Sequence, residues 1–225
     1  MVDAYEAVTS RRAVRGFTDE PVSREVLERV LSAAAWSPSG SNLQPWNIYV
    51  VTGVPLAQLK CLATERVAAG DPWDEREFVM YPPVLKSPYG DRRAAFGKDR
   101  YSALGIERED WEARQRAAIA NWDCFGAPAA LFCYIDRDLG LPQWSDLGMY
   151  LQTVMLLARE HGLHTCPQEA WAVWHAAVTS FLSLPAELMV FCGLSLGYRD
   201  ESAPINHLRT DRAELGEFVG WHGFD

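Results

Sequence analysis

The segment from residue 144 to residue 161 constrains the fold more than any other part of the sequence. It carries apolar side chains at the three- and four-residue spacing of one helix face, namely Leu147, Leu151, Val154, Met155 and Ala158. Gly162 follows at the position where such a helix would end. Apolar runs at 127–135 and 188–198 lie on either side, and both are typical of buried strands. This order of elements predicts a domain in which helices cover a central sheet.

Shorter elements are predicted along the rest of the chain. Helical patterns cover residues 2–12, 23–36, 56–68, 92–104, 107–125 and 169–182, and a further strand covers residues 46–53. Residues 70–125 are an irregular and helical excursion, and residues 198–225 are a C-terminal extension with little regular structure. At 225 residues the chain fits one domain, residues 1–225, with a single core.

The charge balance narrows the class of partner. The formal net charge is -9, whereas nucleic acids and anionic membranes are bound through clustered cations. We therefore expect no nucleic-acid partner and no membrane partner, and no apolar stretch approaches the ~20 residues needed to cross a bilayer. The five cysteines lie mostly among apolar residues and lack any CxxC spacing. They are typical of reduced thiols in a cytoplasmic protein.

Two polar segments are candidates for chemistry. Arg11, Arg12 and Arg15 place three guanidinium groups within five residues, which could hold a phosphate or could form a solvated helix end. The segment 37–46, SPSGSNLQPW, is dense in side chains that can hydrogen-bond a heterocycle, although it could also be an ordinary helix-to-strand loop. Neither segment decides a function by itself.

The two segments together are recognisable. RRAVRGF at 11–17 followed by SPSGSNLQPW at 37–46 resembles the opening signature of the nitroreductase family of flavoproteins. The resemblance continues at CPQEA (166–170) and at SLGYRDESAPINHLRTDR (195–212), and it is weakest over 70–125. It implies an α+β fold with a central mixed, mainly antiparallel sheet flanked by helices, in an intertwined homodimer. It also implies FMN as the cofactor, with NADH or NADPH reducing it and a small aromatic acceptor, nitroaromatic or quinone-like, oxidising it by a ping-pong mechanism.

The resemblance assigns FMN contacts to four segments. The first arginines would meet the phosphate, ribityl chain and pyrimidine edge, the 37–46 loop would reach the FMN of the other subunit, and residues 167–169 would lie over the central ring. The C-terminal arginines would meet the phosphate. The residues are Arg11, Arg12, Ala13, Arg15, Pro38, Ser39, Gly40, Ser41, Asn42, Gln44, Pro167, Gln168, Glu169, Arg209 and Arg212. Two positions depart from the family pattern: Ala13 stands where a Ser is frequent, and Ala170 where a Gly is.

No catalytic side chain is implied, because FMN would carry the chemistry. A cation near flavin N1 stabilises the reduced state and a donor near N5 orients the reacting atom. By the resemblance, Arg15 would supply the first and the Glu169 backbone N–H the second. The sequence contains neither a GxGxxG fingerprint nor a P-loop, so the nicotinamide is expected to visit as a substrate. Phe125, Tyr81 and Tyr89 are candidates for stacking on the acceptor.

Three alternatives remain at this stage. Gly193, Ser195 and Gly197 spell GxSxG after a strand, as in a serine hydrolase, although the polar turn that follows lacks the helix that a nucleophile elbow requires. His161, His164 and Cys166 have a spacing compatible with metal ligands, but no fourth ligand is evident, and we predict no metal site. A non-catalytic protein that binds or stores FMN is also consistent with the sequence.

Overall fold

The computed structural model describes residues 3–224 and contains seven α-helices within them. They are α1 (Ala4–Ser10), α2 (Arg24–Ala34), α3 (Gly53–Ala69), α4 (Tyr89–Ala103), α5 (Trp111–Ile119), α6 (Leu141–Glu160) and α7 (His175–Phe181). The strands are β1 (Asn47–Thr52), β2 (Ala129–Asp136), β3 (His164–Gln168) and β4 (Leu188–Gly197). Short 3-10 turns occupy Gly40–Asn42, Cys124–Gly126, Glu169–Trp174, Pro204–His207 and Leu215–Glu217. Residue 2, where the first predicted helix begins, lies outside the described residues.

The four strands form one sheet in the order β1-β2-β4-β3, and every neighbouring pair is antiparallel. An isolated parallel bridge joins Ala13 to Thr165 of β3, so the extended segment after α1 runs along this edge of the sheet. The predicted α+β architecture, with a central, mainly antiparallel sheet flanked by helices, is confirmed.

The sheet is buried on both faces, and the period-two pattern of its strands assigns each side chain to a face. In β2, Phe132 and Tyr134 point to one face, whereas Leu131, Cys133 and Ile135 point to the other. Helix α6 covers the second face together with α2, and its buried side chains include the apolar positions on which it was predicted. The first face is covered by α3, α7 and the tryptophan-rich turn at 169–174.

Two helical predictions were longer than the observed elements. The helix expected over 107–125 is reduced to α5, which Asp110 caps through a 2.9 Å hydrogen bond to the Ala113 N–H. The helix expected over 169–182 begins instead as a 3-10 turn, and only His175–Phe181 is α-helical. The physical reason is that four consecutive residues, 171–174, are all buried, whereas an α-helix on a sheet buries one face only.

The excursion predicted at 70–125 is irregular up to residue 88, and α4 begins at Tyr89, three residues before the helix predicted at 92–104. The Asp74 N–H donates to the Val173 carbonyl at 3.0 Å, which ties this stretch to the turn at 169–174. Within residues 3–224, no helix combines the length and the apolar character needed to cross a membrane.

Candidate functional site

A cavity of about 710 Å³ lies between the C-terminal end of α1, helix α4 and the segment that follows β4. Six arginines line it, from three separate parts of the chain: Arg11, Arg12, Arg15, Arg92, Arg209 and Arg212. Its volume falls in the range of about 300–1,000 Å³ that is typical of cofactor sites. The structure therefore gathers the local concentration of cations that an acidic chain would need to bind an anion.

Three of these arginines, Arg11, Arg12 and Arg15, belong to an extended segment, residues 11–17, which hydrogen bonds hold in place. The Val14 N–H donates to the Thr165 carbonyl at 3.0 Å, and the Arg15 N–H donates to Asn206 Oδ1 at 2.8 Å. Asn206 is buried, and its Nδ2 donates back to the Gly16 carbonyl at 2.8 Å. A Cβ at Gly16 would lie 2.6 Å from Ala203 Cβ, so only glycine permits this close approach. Asn206 thus fixes Arg15 in place from the far end of the chain.

Most of the cavity's positive charge has no carboxylate partner. Among the residues that the structure describes, Arg92 is the one lining arginine that forms an ion pair, with Glu217 at 2.8 Å. Burial, and then the neighbouring charge of Arg212, lower the pKa of Arg11. The buried Arg11 Nε has no hydrogen-bond partner, whereas Arg212 Nη1 bonds within its own turn, to Thr210 Oγ1 at 2.7 Å. Unpaired guanidinium groups held near one another favour a bound anion.

Arg15 lies near two aromatic rings. Its Cζ is 5.3 Å from the Phe96 ring centroid and 5.9 Å from that of Phe125. Burial, followed by the charge of Arg15, lowers the pKa of Arg100, whose Nη2 donates to the Ala117 carbonyl at 2.9 Å. The guanidinium groups of Arg15 and Arg100 therefore lie near one another, and Arg15 is the one that lines the cavity.

The segment 167–169 enters the site from the end of β3. Pro167 lines the cavity, whereas the side chain of Gln168 is 3% exposed and points into the core. The carboxylate of Glu169 accepts a 2.7 Å hydrogen bond from the Tyr81 hydroxyl, and the Arg93 guanidinium lies 4.7 Å from the Tyr81 ring centroid. Tyr81, predicted as an acceptor-stacking residue, is thereby placed beside the segment expected at the flavin.

The serine- and asparagine-rich loop is not brought to this cavity by the subunit itself. Its 3-10 turn packs on α6, where the Gly40 N–H donates to Asp146 Oδ2 at 3.2 Å. Ser41, Asn42 and Gln44 have left-handed φ values of 50°, 57° and 50° and are exposed, as Pro38 is. Ser39 Oγ accepts from the Gln44 N–H within the loop at 3.0 Å. The loop therefore lies apart from the residues that line the cavity of its own subunit.

The two other aromatic candidates differ in exposure. Tyr89 is 64% exposed at the first residue of α4. Phe125 is 8% exposed, belongs to the core and has a left-handed φ of 54°. Its ring centroid lies 5.9 Å from the Arg15 guanidinium carbon, and stacking of Phe125 on an acceptor stays a prediction.

Comparison with known proteins decides the family. The model of the Nitroreductase family matches residues 8–198. The chain belongs to this family. It is 39% identical over 226 residues to a 4-nitrobenzoate reductase from Pseudomonas putida. The matched region covers 100% of this chain and 98% of the relative. The chain is 38% identical over 214 residues to a nitrobenzene nitroreductase from Ectopseudomonas oleovorans, with coverage of 95% and 94%.

A solved structure of the same family is similar throughout. The FMN and NADPH-dependent nitroreductase from Sphigopyxis sp. strain HMH superposes with a TM-score of 0.94 at 42% identity, covering 99% of this chain and 100% of that one. The cavity suits FMN, because FMN is an anion with a planar ring and the cavity is lined by arginines. Its phosphate could be matched to the unpaired Arg11, Arg209 and Arg212, leaving Arg15 and Pro167 for the ring.

The serine hydrolase alternative is excluded by the position of Ser195. This residue lies inside β4 with no exposed surface, so its hydroxyl cannot reach a substrate. The flanking glycines have a packing origin, because a Cβ at Gly193 would clash with the Trp171 ring and one at Gly197 would lie 2.6 Å from Pro128 Cδ. The GxSxG pattern is therefore the small-residue face of a core strand.

The histidines near the start of β3 are not arranged around a metal. Within residues 3–224, no group of three or more His, Cys, Asp and Glu side chains could hold an ion. Instead, Arg159 Nη1 donates to His164 Nε2 at 2.8 Å. Burial, and then the charges of Arg159, Arg199 and Arg12, lower the pKa of His164 from 6.5 to about 4. His164 is a neutral acceptor in the folded protein at neutral pH.

This environment makes the stability of the protein depend on pH. When the chain unfolds, His164 regains its ordinary pKa, so between pH 6.5 and about 4 the unfolded state binds more protons and stability falls as the pH falls. We expect His164→Gln to lose less unfolding free energy than the wild type over this interval in chemical denaturation. Carboxylates titrate in both proteins, so it is the difference between the two losses that reports on His164. The matched control is His222→Gln, because His222 is exposed. Equal losses in His164→Gln and the wild type would contradict the buried neutral state.

Several residues of the site carry no recognisable sequence signal. Arg92 and Phe96 lie on α4, four residues apart on one helix face, within the stretch where the family resemblance is weakest. Arg100 extends the same helix face toward Arg15. Asn206 lies within the segment 195–212 that carries the family resemblance, but nothing in its immediate sequence indicates the hydrogen bond that it accepts from Arg15.

Proposed function

We propose that this protein is an FMN-dependent oxidoreductase that takes electrons from NADPH or NADH and reduces small nitroaromatic compounds. The observation that carries the proposal is the cavity in which Arg11, Arg15, Arg209 and Arg212 converge and form no ion pair with any carboxylate of residues 3–224. Family membership and relatives named for the reduction of 4-nitrobenzoate and nitrobenzene support the choice of acceptor. NADPH is the first donor to test, because the solved relative is NADPH-dependent.

Each part of the cavity has a separate task in this proposal. Arg11, Arg209 and Arg212 hold the FMN phosphate, and Arg15 holds the pyrimidine side of the ring. The backbone at Glu169 orients the reacting edge, with its carboxylate fixed by Tyr81. The chemistry that FMN supplies when bound is two-electron transfer from a nicotinamide to an acceptor. A cytoplasmic location belongs to the proposal, supported by five free cysteines.

The direct test is spectroscopic. The purified protein should show the visible absorption of bound FMN, bleach when NADPH is added without air, and recover its colour when 4-nitrobenzoate follows. A protein that stays yellow with both NADPH and NADH would be a flavin-binding or storage protein. A colourless protein that takes up no added FMN would overturn the proposal.

Ping-pong kinetics are expected, because the nicotinamide and the acceptor must each reach the same edge of the flavin. The sequence offers no glycine-rich dinucleotide fingerprint that would provide a separate nicotinamide site. Initial rates measured over a range of NADPH concentrations, at several fixed concentrations of 4-nitrobenzoate, should give parallel double-reciprocal lines. Intersecting lines would show that both substrates bind together.

A homodimer with FMN at the interface completes the proposed assembly. Its support is the exposed 38–44 loop, which holds three left-handed non-glycine residues together with Leu43, 54% exposed, and which follows Trp36, 91% exposed. Such strained and apolar surface is costly unless a second copy covers it. The same loop carries the residues that the family resemblance assigns to the FMN of the other subunit.

We expect the Trp36→Ser/Leu43→Glu double variant to sediment as a monomer and to lose its bound FMN. Val54→Glu changes a 70% exposed apolar residue on α3 and is the matched control, which should remain a yellow dimer. Sedimentation velocity detected at both protein and flavin wavelengths measures mass and FMN content together. A wild-type monomer with stoichiometric FMN would contradict the interface site.

A further inference from the structure

The small-residue face of β4 leaves room for a buried polar network behind the flavin site. Leu194 and Leu196 point to the α6 side of the sheet, so Gly193, Ser195 and Gly197 point to the opposite side. Gln168 of β3 pairs with Gly193, and a side chain on this face of β3 can reach Ser195 diagonally. Because Gly193 has no side chain, this face has room both for the Trp171 ring and for a contact between Gln168 and Ser195.

The network is buried and specific. The Ser195 hydroxyl donates to Gln168 Oε1, and Gln168 Nε2 donates to the Asn121 carbonyl at 2.5 Å. Ser195 has no exposed surface and Gln168 has 3%. In so apolar a setting each of these groups depends on the other, because a buried amide oxygen without a donor is costly.

The network touches both elements that border the flavin ring. Gln168 is the residue between Pro167, which lines the cavity, and Glu169, whose backbone is expected at the ring edge. Asn121 begins the turn that places Phe125 under Arg15, and Phe125 holds a left-handed φ that costs energy unless its surroundings fix it. The Phe125 carbonyl in turn accepts from the Phe17 N–H at 3.2 Å, within the segment that carries Arg15.

We propose that Ser195 and Gln168 are positioning residues of the flavin site, which lock the Glu169 peptide and the Phe125 ring that supports Arg15 in one arrangement. Neither side chain touches the cofactor; they act by fixing β3 and the 121–126 turn relative to each other. The inference rests on the proposed function. It also gives a reason for the serine in the GxSxG pattern, because Ser195 is the donor that orients Gln168.

The first variant to test is Ser195→Ala, which removes the donor and leaves the Gln168 oxygen without its partner. FMN affinity should stay within about threefold of the wild type, because the phosphate arginines are untouched. Anaerobic reduction by saturating NADPH in stopped flow should slow by roughly ten- to a hundredfold, the size expected for a misplaced reacting edge. The visible circular dichroism of bound FMN should change as well.

Thr165→Val is the matched control. Thr165 is equally buried, its hydroxyl has no hydrogen-bond partner, and it lies on β3 with its side chain toward the opposite face. It should reduce at the wild-type rate with an unchanged dichroism spectrum. If Ser195→Ala folds poorly, Ser195→Cys keeps the volume and a weaker donor, and should give an intermediate rate.

A double-variant cycle separates positioning from general loss of stability. If Ser195 acts through Gln168, adding Ser195→Ala to Gln168→Met should slow reduction no further than Gln168→Met alone. Rates and spectra of Ser195→Ala that match those of Thr165→Val, or additive slowing in the cycle, would overturn the inference. Failure of the wild type to bleach with NADPH would instead count against the proposed function.

Discussion

Removal of single arginines from the phosphate end of the cavity is expected to weaken FMN binding by about ten- to a hundredfold for each of Arg11→Met, Arg209→Ala and Arg212→Ala. A hydrogen bond to a charged group contributes about 1.5 to 3 kcal/mol, and each 1.4 kcal/mol corresponds to about tenfold in affinity. The structure supports the high end for Arg11, because its guanidinium is half-buried, close to Arg212 and unpaired at Nε.

The Arg11→Met/Arg212→Ala double variant should lose affinity by roughly a hundred- to a ten-thousandfold, the product of two single effects of about ten- to a hundredfold each. A smaller loss would show that the two guanidinium groups, which lie close enough for Arg212 to lower the pKa of Arg11, are coupled in binding the phosphate. The loss of affinity relative to the wild type should be smaller in high salt than in low salt, because exposed charges such as Arg212 are screened.

Titration of the apoproteins with FMN, followed by fluorescence quenching, measures these affinities. Arg116→Ala is the control, because Arg116 is exposed on α5 and lies 3.8 Å from Glu112, away from the cavity. If all three single variants bound FMN with wild-type affinity, the phosphate would not bind at this end of the cavity, and the orientation assigned to the ring would be wrong.

The elements that could be predicted from the sequence are those whose burial leaves a periodic trace. β2 and β4 are apolar on both faces, and α6 repeats its apolar positions over 20 residues, so each gives a clear local pattern. The turn at 169–174 gives a misleading one, because Trp171 and Trp174 satisfy helical spacing while all the residues from 171 to 174 are buried. Local spacing cannot reveal that a whole segment, rather than one face, is covered by the sheet.

The site was predictable in part, and the reason is the distance between its components along the chain. Arg11 and Arg212 meet only in the folded protein, so sequence periodicity could not predict that they are close. The family resemblance did assign both of them to the FMN site. The support behind them left no such trace: Asn206 reaches Arg15 across 191 positions, and Phe125 adopts a backbone conformation that its residue type does not suggest. The 38–44 loop remains a prediction about a second subunit.

Arg15→Gln should separate binding of the cofactor from tuning of its redox potential. Arg15 is expected at the pyrimidine side of the flavin, where negative charge accumulates only upon reduction, so its charge stabilises the reduced state more than the oxidised state. Glutamine keeps a hydrogen-bond donor and removes the charge. Oxidised FMN should therefore still bind, whereas the two-electron potential should fall by tens of millivolts, at roughly 30 mV for each 1.4 kcal/mol of lost preference.

The surroundings of Arg15 set the size of this shift. The ring centroids of Phe96 and Phe125 lie 5.3 and 5.9 Å from its guanidinium carbon, and such apolar groups weaken the screening of the charge, which favours a large effect. Arg100 acts in the other direction, because this second, half-buried cation remains when Arg15 is replaced and its own pKa rises once the neighbouring charge is gone. The potential should consequently fall but stay above that of a flavin with no cation nearby.

Spectroelectrochemical titration of the wild type, Arg15→Gln and the Arg92→Gln/Glu217→Gln double variant measures the effect against an internal control. Arg92 lines the same cavity and pairs with Glu217 at 2.8 Å, so Arg92→Gln is made together with Glu217→Gln. The double replacement removes both charges of the pair without changing the net charge and should leave the potential within a few millivolts, on the order of 0.1 kcal/mol. Slower reduction by NADPH should accompany the lower potential in Arg15→Gln alone. If Arg15→Gln and the wild type had equal potentials while Arg15→Gln bound FMN more weakly, Arg15 would be a phosphate clamp, and the ring would lie the other way round in the cavity.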